Sequence, residues 1–299
     1  GKLVEAGPWG SDAPERPGAC PSRPGTSSVW IPRDTGYGRL IGEFISLVLW
    51  QNYGSLCTSM ALLEVEQVTK IYGRRKVVNG VSLSVDRGEI VGLLGRNGAG
   101  KTTTFRMVIG LIAPESGSIR FEGQDVTRLP IYKRARLGMG FLPQEPSVFQ
   151  RLSVEENLLA ILETTKISKG EREEQAASML KEYGLAHLGG QKAYTLSGGE
   201  MRRLEICRAM LTSPSIVLLD EPFSGVDPIA VGELQGFIRK LKEKNIGVLL
   251  TDHNVRETLA ITERSHIIDG GMVLRSGTPD EIISDPVVRE RYLGTDFRM

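Results

Sequence analysis

This 299-residue chain has no excess of charge of either sign: 37 Lys and Arg stand against 36 Asp and Glu, a formal net of +1. Bulk electrostatics therefore give no case for nucleic acid as a partner. Cysteine is scarce, and Cys20, Cys57 and Cys207 share no metal-ligand or disulfide-framework spacing, which points to a reducing setting. Cys207 sits inside an apolar helical pattern and reads as a small core residue. A long hydrophobic run is also missing. Phe44 to Leu63 carries no charge but is interrupted by Gln51, Asn52, Tyr53, Gly54 and Ser55; its apolar heart is about seven residues, where a bilayer needs roughly 20. Residues 1–38 show no apolar h-region of a secretory leader. Any membrane role is expected to come through partners, with no direct lipid insertion.

Residues 1–59 differ from the rest. Thirteen of the first 38 are Gly or Pro, with no period of 2 or 3.6, which reads as a disordered or mis-called N-terminal extension. Met60 is the expected natural start, and a flexible partner-binding arm is the rival reading. From Met60 onward the pattern is α/β. Strands are expected over 62–68, 77–85 and 89–94, a helix over 101–112, a strand over 117–123 and another ending at Phe141-Leu142. Residues 151–213 then read as a helical subdomain. Ser153-x-x-Glu156, Ser168-x-x-Glu171 and Ser197-x-x-Glu200 are capping boxes at helix-length spacing. A strand over 215–220, a helix over 228–244, a strand over 246–251, a short helix and a hairpin around Gly270-Gly271 complete the series.

Gly95-Arg96-Asn97-Gly98-Ala99-Gly100-Lys101-Thr102 fits the phosphate-loop pattern, with Thr103 continuing into the helix. It follows the apolar run Ile90-Val91-Gly92-Leu93-Leu94 and precedes a helical pattern, so its N–H groups and the helix N-terminus can wrap a triphosphate. Lys101 is placed to reach the β- and γ-phosphates, and Thr102 to coordinate Mg²⁺. Gly98 and Gly100 let the backbone approach phosphate where a Cβ would obstruct. The loop alone leaves kinases and GTPases open. Asp220-Glu221 ends a second apolar strand, where ligands of a parallel sheet bind. Asp220 is expected to hold Mg²⁺ through its water shell, and Glu221 to act as general base on the attacking water. His253 repeats that logic after the strand Ile246 to Leu250 and is expected to contact the γ-phosphate and position the same water. His187 and His266 read as structural.

With Leu196-Ser197-Gly198-Gly199-Glu200 preceding Asp220-Glu221, residues 60–299 resemble a complete ABC-type ATPase. That resemblance implies a RecA-like core, an antiparallel β subdomain and an inserted helical subdomain. It further implies that Tyr72 stacks adenine, that Gln144 senses Mg²⁺ and the water, and that Asp227 belongs to the loop Ser224-Gly225-Val226-Asp227. Ser197, Gly198, Gly199 and Glu200 would meet the nucleotide of a second subunit, so a working site needs a homodimer with ATP between its halves. Glu200, where many relatives have Gln, and the Ser-Gly-Val-Asp loop depart mildly from the family pattern.

Within the family the chain is most similar to the ATPases of lipopolysaccharide export, through Leu142 to Phe149, Asp220 to Pro228, Thr251 to Leu259 and the ending Tyr292 to Met299. The first three segments are shared in part with the ATPases of branched-chain amino-acid importers, which is the alternative. The resemblance implies partners similar to the membrane proteins LptF and LptG, whose coupling helices would enter a groove near Gln144. Phe149 either anchors such a helix or is ordinary core. Non-transport relatives fit poorly: one phosphate loop is present, only 52 residues separate Gln144 from Ser197, and no coiled-coil insertion, CxxC or Asn-Lys-x-Asp base reader occurs.

Overall fold

The computed structural model describes residues 61–294 and Phe297. The expectations for residues 1–59, for Met60, for Cys20 and Cys57 and for most of Phe44 to Leu63 lie outside the described residues. The first two alternating stretches form β1 (Leu63–Tyr72) and β2 (Arg75–Val85), an antiparallel pair. β1 runs past the expected end at residue 68 because pairing with β2 resumes beyond a register shift, where Gln67 takes a φ of 49°. β3 (Ile90–Gly95) is buried along its whole length and leads through the phosphate loop into helix α1 (Lys101–Ile109).

Helix α1 stops three residues short of the sequence expectation. Gly110 turns left-handed at φ 85°, and Leu111 N–H donates back to Arg106 O, the usual way a glycine closes a helix. The rest of the stop signal lies elsewhere in the chain. β4 (Ser116–Phe121) and the short β5 (Gln124–Asp125) form a hairpin, followed by α2 (Ile131–Arg136). The buried guanidinium of Arg134, on α2, donates to Met107 O, Val108 O, Thr127 O and Leu129 O. It caps the last carbonyls of α1 and sets a cation at the negative end of that helix.

β6 (Met139–Leu142) precedes a wholly helical stretch with α3 (Val154–Leu162), α4 (Lys169–Glu182), two 3₁₀ turns and α5 (Gly198–Met210). All three expected capping boxes form, at Ser153, Ser168 and Ser197. The chain then alternates through β7 (Ile216–Asp220), α6 (Pro228–Glu243), β8 (Gly247–Thr251), α7 (Val255–Leu259), β9 (Arg264–Asp269) and β10 (Met272–Gly277). It ends in α8 (Pro279–Ser284), α9 (Pro286–Val288) and a π turn over Arg289–Leu293.

One sheet has the order β2-β1-β4-β5 and is antiparallel; the other has the order β10-β9-β3-β8-β7-β6. Apart from the β9–β10 hairpin, the pairings of the second sheet are parallel. Its central strands are buried on both faces, and alternate residues divide between two cores. Val217, Leu219, Val248 and Leu250 join the helical layer; Ile216, Leu218, Leu249 and Leu93 join α1 and the antiparallel sheet. This α/β architecture, a largely parallel sheet joined by an antiparallel sheet and a helical insertion, is the one that the resemblance implies. The parallel register brings the ends of β3, β6, β7 and β8 to one edge, and the residues that follow them emerge there together.

Candidate functional site

At that edge lies a cleft of about 520 Å³ lined by Asn97, Gly98, Gly100, Lys101, Thr102, Thr103, Gln144, Glu221, Ser224, His253 and Val77. Four chain segments expected from sequence to share a site therefore do so. Lys101 is buried, and its ammonium donates to Gly95 O at 2.6 Å and Arg96 O at 3.2 Å. Burial lowers its pKa, opposed by the charges of Glu221, Asp252 and Asp220. Gly100 is left-handed at φ 109°, and a Cβ there would stand 2.8 Å from Val77 O. The need for glycine at this position thus arises within the protein, whereas the expectation placed it with the ligand. Gly98 is also left-handed, and a Cβ there would meet nothing. Ala99 is buried under the loop.

Glu221 follows β7 with a φ of 46°, rare for a residue with a Cβ. Its N–H donates to Thr251 O at 2.8 Å. Its carboxylate accepts from Gln144 Nε2 at 2.9 Å and lies 3.3 Å from His253 Nδ1. Residues leaving β6, β7 and β8 thus meet at one carboxylate. Asp220 is buried and accepts from the Thr251 hydroxyl at 2.7 Å. The oxygen donors of Thr102, Asp220 and Gln144 suit Mg²⁺, which takes one or two protein carboxylates and shares the rest of its shell with water and phosphate. Gln144 donates one of its two amide N–H groups to Glu221, and its side-chain oxygen remains an acceptor. Among the described residues no group of three or more His, Cys, Asp or Glu could hold a metal ion.

The other expected residues stand outside this cleft. Tyr72 is half-exposed, with the Lys70 ammonium 5.7 Å from its ring. Ser197 and Glu200 are reciprocal caps of α5: Glu200 N–H donates to Ser197 Oγ, and Ser197 N–H to Glu200 Oε2. The cap bonds lower the Glu200 pKa. Gly198 lines a smaller hollow of about 220 Å³ with Gln144, Glu221 and Ser224, while Gly199 packs on α6, where a Cβ would stand 2.9 Å from Ala230. Asp227 caps α6 by accepting from Ile229 and Ala230 N–H.

Phe149 is 47% exposed, so it lies outside the core. The Arg208 guanidinium sits 4.8 Å from its ring, and Asn157 holds its backbone through both N–H and C=O. The segment 143–149 is clamped to α5. Arg202 donates to Pro143 O, Glu205 accepts from Ser147 N–H, and Arg208 donates to Ser147 O. Beside it runs a groove of about 290 Å³ between α2 and β6 on one side and α3 and α5 on the other.

Several contributors escaped the sequence reading. Val77 lines the cleft and crowds Gly100, Thr251 fixes Asp220, and Asp252 is fully buried with its pKa raised by that burial. The signal for the last two was a polar pair ending an apolar strand, the same signal that singled out Asp220 and Glu221.

A family model described as ABC transporter matches residues 78–224. The chain is 53% identical over 238 residues to the lipopolysaccharide export system ATP-binding protein LptB of Acidithiobacillus ferridurans, covering 80% of this chain and 99% of that one. The chain belongs to the ABC transporter ATP-binding family. It is an ATP-binding, ATP-hydrolysing subunit of that family. A probable ABC transporter ATP-binding protein of Azorhizobium caulinodans is also 53% identical, over 232 residues, covering 78% of this chain and 83% of the relative. Among solved structures, the ADP conformation of MJ1267, an ATP-binding cassette of an ABC transporter, superposes with a TM-score of 0.72. It is 30% identical and is covered in full by 79% of this chain.

Proposed function

We propose that the chain powers lipopolysaccharide extraction from the inner membrane for export toward the outer membrane. In this reading it works as a homodimer on the cytoplasmic face, held there by integral membrane subunits resembling LptF and LptG. The observation that carries this reading is the 53% identity to a lipopolysaccharide export ATPase across 99% of that relative's length. No helix among the described residues is long and apolar enough to cross a membrane.

In this account the loop N–H groups from Arg96 to Thr103 and the ammonium of Lys101 bind the β- and γ-phosphates, and Tyr72 stacks on adenine. Glu221 takes the proton of the water that attacks the γ-phosphorus as the bond to ADP breaks. Gln144 and His253, both already on the Glu221 carboxylate, orient that water. Thr102, Asp220 and Gln144 would hold Mg²⁺, which when bound neutralises phosphate charge. Ser197, Gly198, Gly199, Glu200 and Asp227 of a second copy would close the site, in keeping with their place outside the cleft of their own chain.

The groove beside Ser147, Ile161 and Arg208 would receive a short helix of each membrane subunit, and Arg208, which lines it, also stands over the exposed ring of Phe149. Affinity purification from detergent-solubilised membranes tests the reading. Recovery of two integral proteins resembling LptF and LptG is the expected result. Recovery of branched-chain amino-acid permease subunits would redirect it to an importer.

A further inference from the structure

We infer that Asp252 is a positioning residue for ATP hydrolysis, tying the turn that carries Glu221 to the loop that carries His253. Its carboxylate has no exposed surface. One oxygen accepts from Phe223 N–H at 3.0 Å, and the other from Asn254 N–H at 2.7 Å. His253 Nδ1 lies 3.5 Å from the latter oxygen. The preceding residue grips the same turn, with Thr251 O accepting from Glu221 N–H. Two consecutive residues at the end of β8 therefore hold residues 221 and 223 just beyond the neighbouring strand β7.

That grip falls where the backbone is strained. Glu221 at φ 46° occupies the left-handed region, which is unfavourable for a residue with a Cβ. Such a conformation persists only where its surroundings over-determine it. The bonds from Thr251 and Asp252 do that and aim the Glu221 carboxylate at His253 and Gln144. A carboxylate is an expensive way to fill a buried position, because its charge resists transfer out of water. It can, however, accept an N–H from each of two diverging loops, one on each oxygen. An apolar residue could fill the space but could not link the loops.

The inference rests on the proposed roles of Glu221 and His253. It is tested by steady-state and single-turnover ATPase kinetics of Asp252→Asn and Asp252→Ala, each also in a Glu221→Gln background, with melting recorded in parallel. Asp252→Ala should lower kcat at least about tenfold while KM for ATP stays within about threefold, since small misplacements of catalytic groups are costly. Asp252→Asn keeps one acceptor for Phe223 N–H and should recover part of the loss at near-parental melting. In the Glu221→Gln background, Asp252→Ala should cost no further turnover. Parental kcat in both single variants would overturn the inference, as would an equal fold-loss with and without Glu221. If Asp252→Ala does not fold, Asp252→Asn decides: full turnover refutes the role, and a kcat loss that vanishes in the Glu221→Gln background supports it. Failure of the Glu221 reading itself would appear separately, as near-parental turnover of Glu221→Gln alone.

Discussion

His266 shows how far one side chain's surroundings can move its chemistry. It is buried on β9, with Nδ1 2.6 Å from Ser276 Oγ and Nε2 without a hydrogen-bond partner. Burial, aided by the Arg264 charge, depresses its pKa to about 4. The folded protein thus binds this proton more weakly than the unfolded chain, whose histidine titrates near the ordinary 6.5. The associated stability is present above the unfolded pKa and is lost as pH falls toward the folded one. Between pH 7 and pH 5 the loss from this group should be about 2 kcal/mol. His266→Asn keeps a partner for Ser276 and removes the titration. Urea denaturation at the two pH values should give a correspondingly smaller drop for the variant; equal drops would show that His266 is not the source.

The same four-residue device, a serine N-cap with a reciprocal glutamate, opens α3, α4 and α5. Local physics assigns each serine the same worth, about 1 kcal/mol on replacement by alanine. Ser153→Ala, Ser168→Ala and Ser197→Ala should therefore melt alike. Only Ser197→Ala should also lose ATPase activity, because only that N-terminus would face a nucleotide bound by a second copy. Comparable turnover in all three variants would reduce Ser197 to a cap.

The boxes were legible because their donors and acceptors lie within four residues, and the phosphate loop and strand ends because apolar runs announce them. The end of α1 was not legible, because its last carbonyls are satisfied by Arg134 from 26 and 27 residues away. Nor was the closeness of Gln144, Glu221 and His253 legible from spacing. It comes from strand order; places just after buried strands singled out Glu221 and His253, whereas Gln144 was named through the family resemblance.

At the scale of the whole molecule, the helical layer and the sheet share one core, so movement of one can be felt by the other through segment 143–149. That segment is fastened to α5 by Arg202, Glu205 and Arg208 and to the site by Gln144. The half-exposed ring of Phe149 stands on it. Phe149→Ala should cost less than about 1 kcal/mol of stability, the scale of an exposed cation–π contact; truncating a buried aromatic would cost about 3–5 kcal/mol. The isolated subunit should keep its ATPase activity, while co-purification with the membrane subunits weakens. A stable variant that binds those subunits as tightly as the parent would remove Phe149 from the coupling surface.

The central claim is that one chain carries the base and the phosphate loop but only half of a working site. Glu221→Gln tests it most directly, because it preserves shape while removing the group that takes the proton. Sedimentation of this variant with and without ATP, beside a phosphate-release assay, is the measurement. The account predicts a monomer without nucleotide, a stable dimer with ATP, and turnover reduced by about 100-fold or more. Near-parental turnover, or a monomer at saturating ATP, would contradict it.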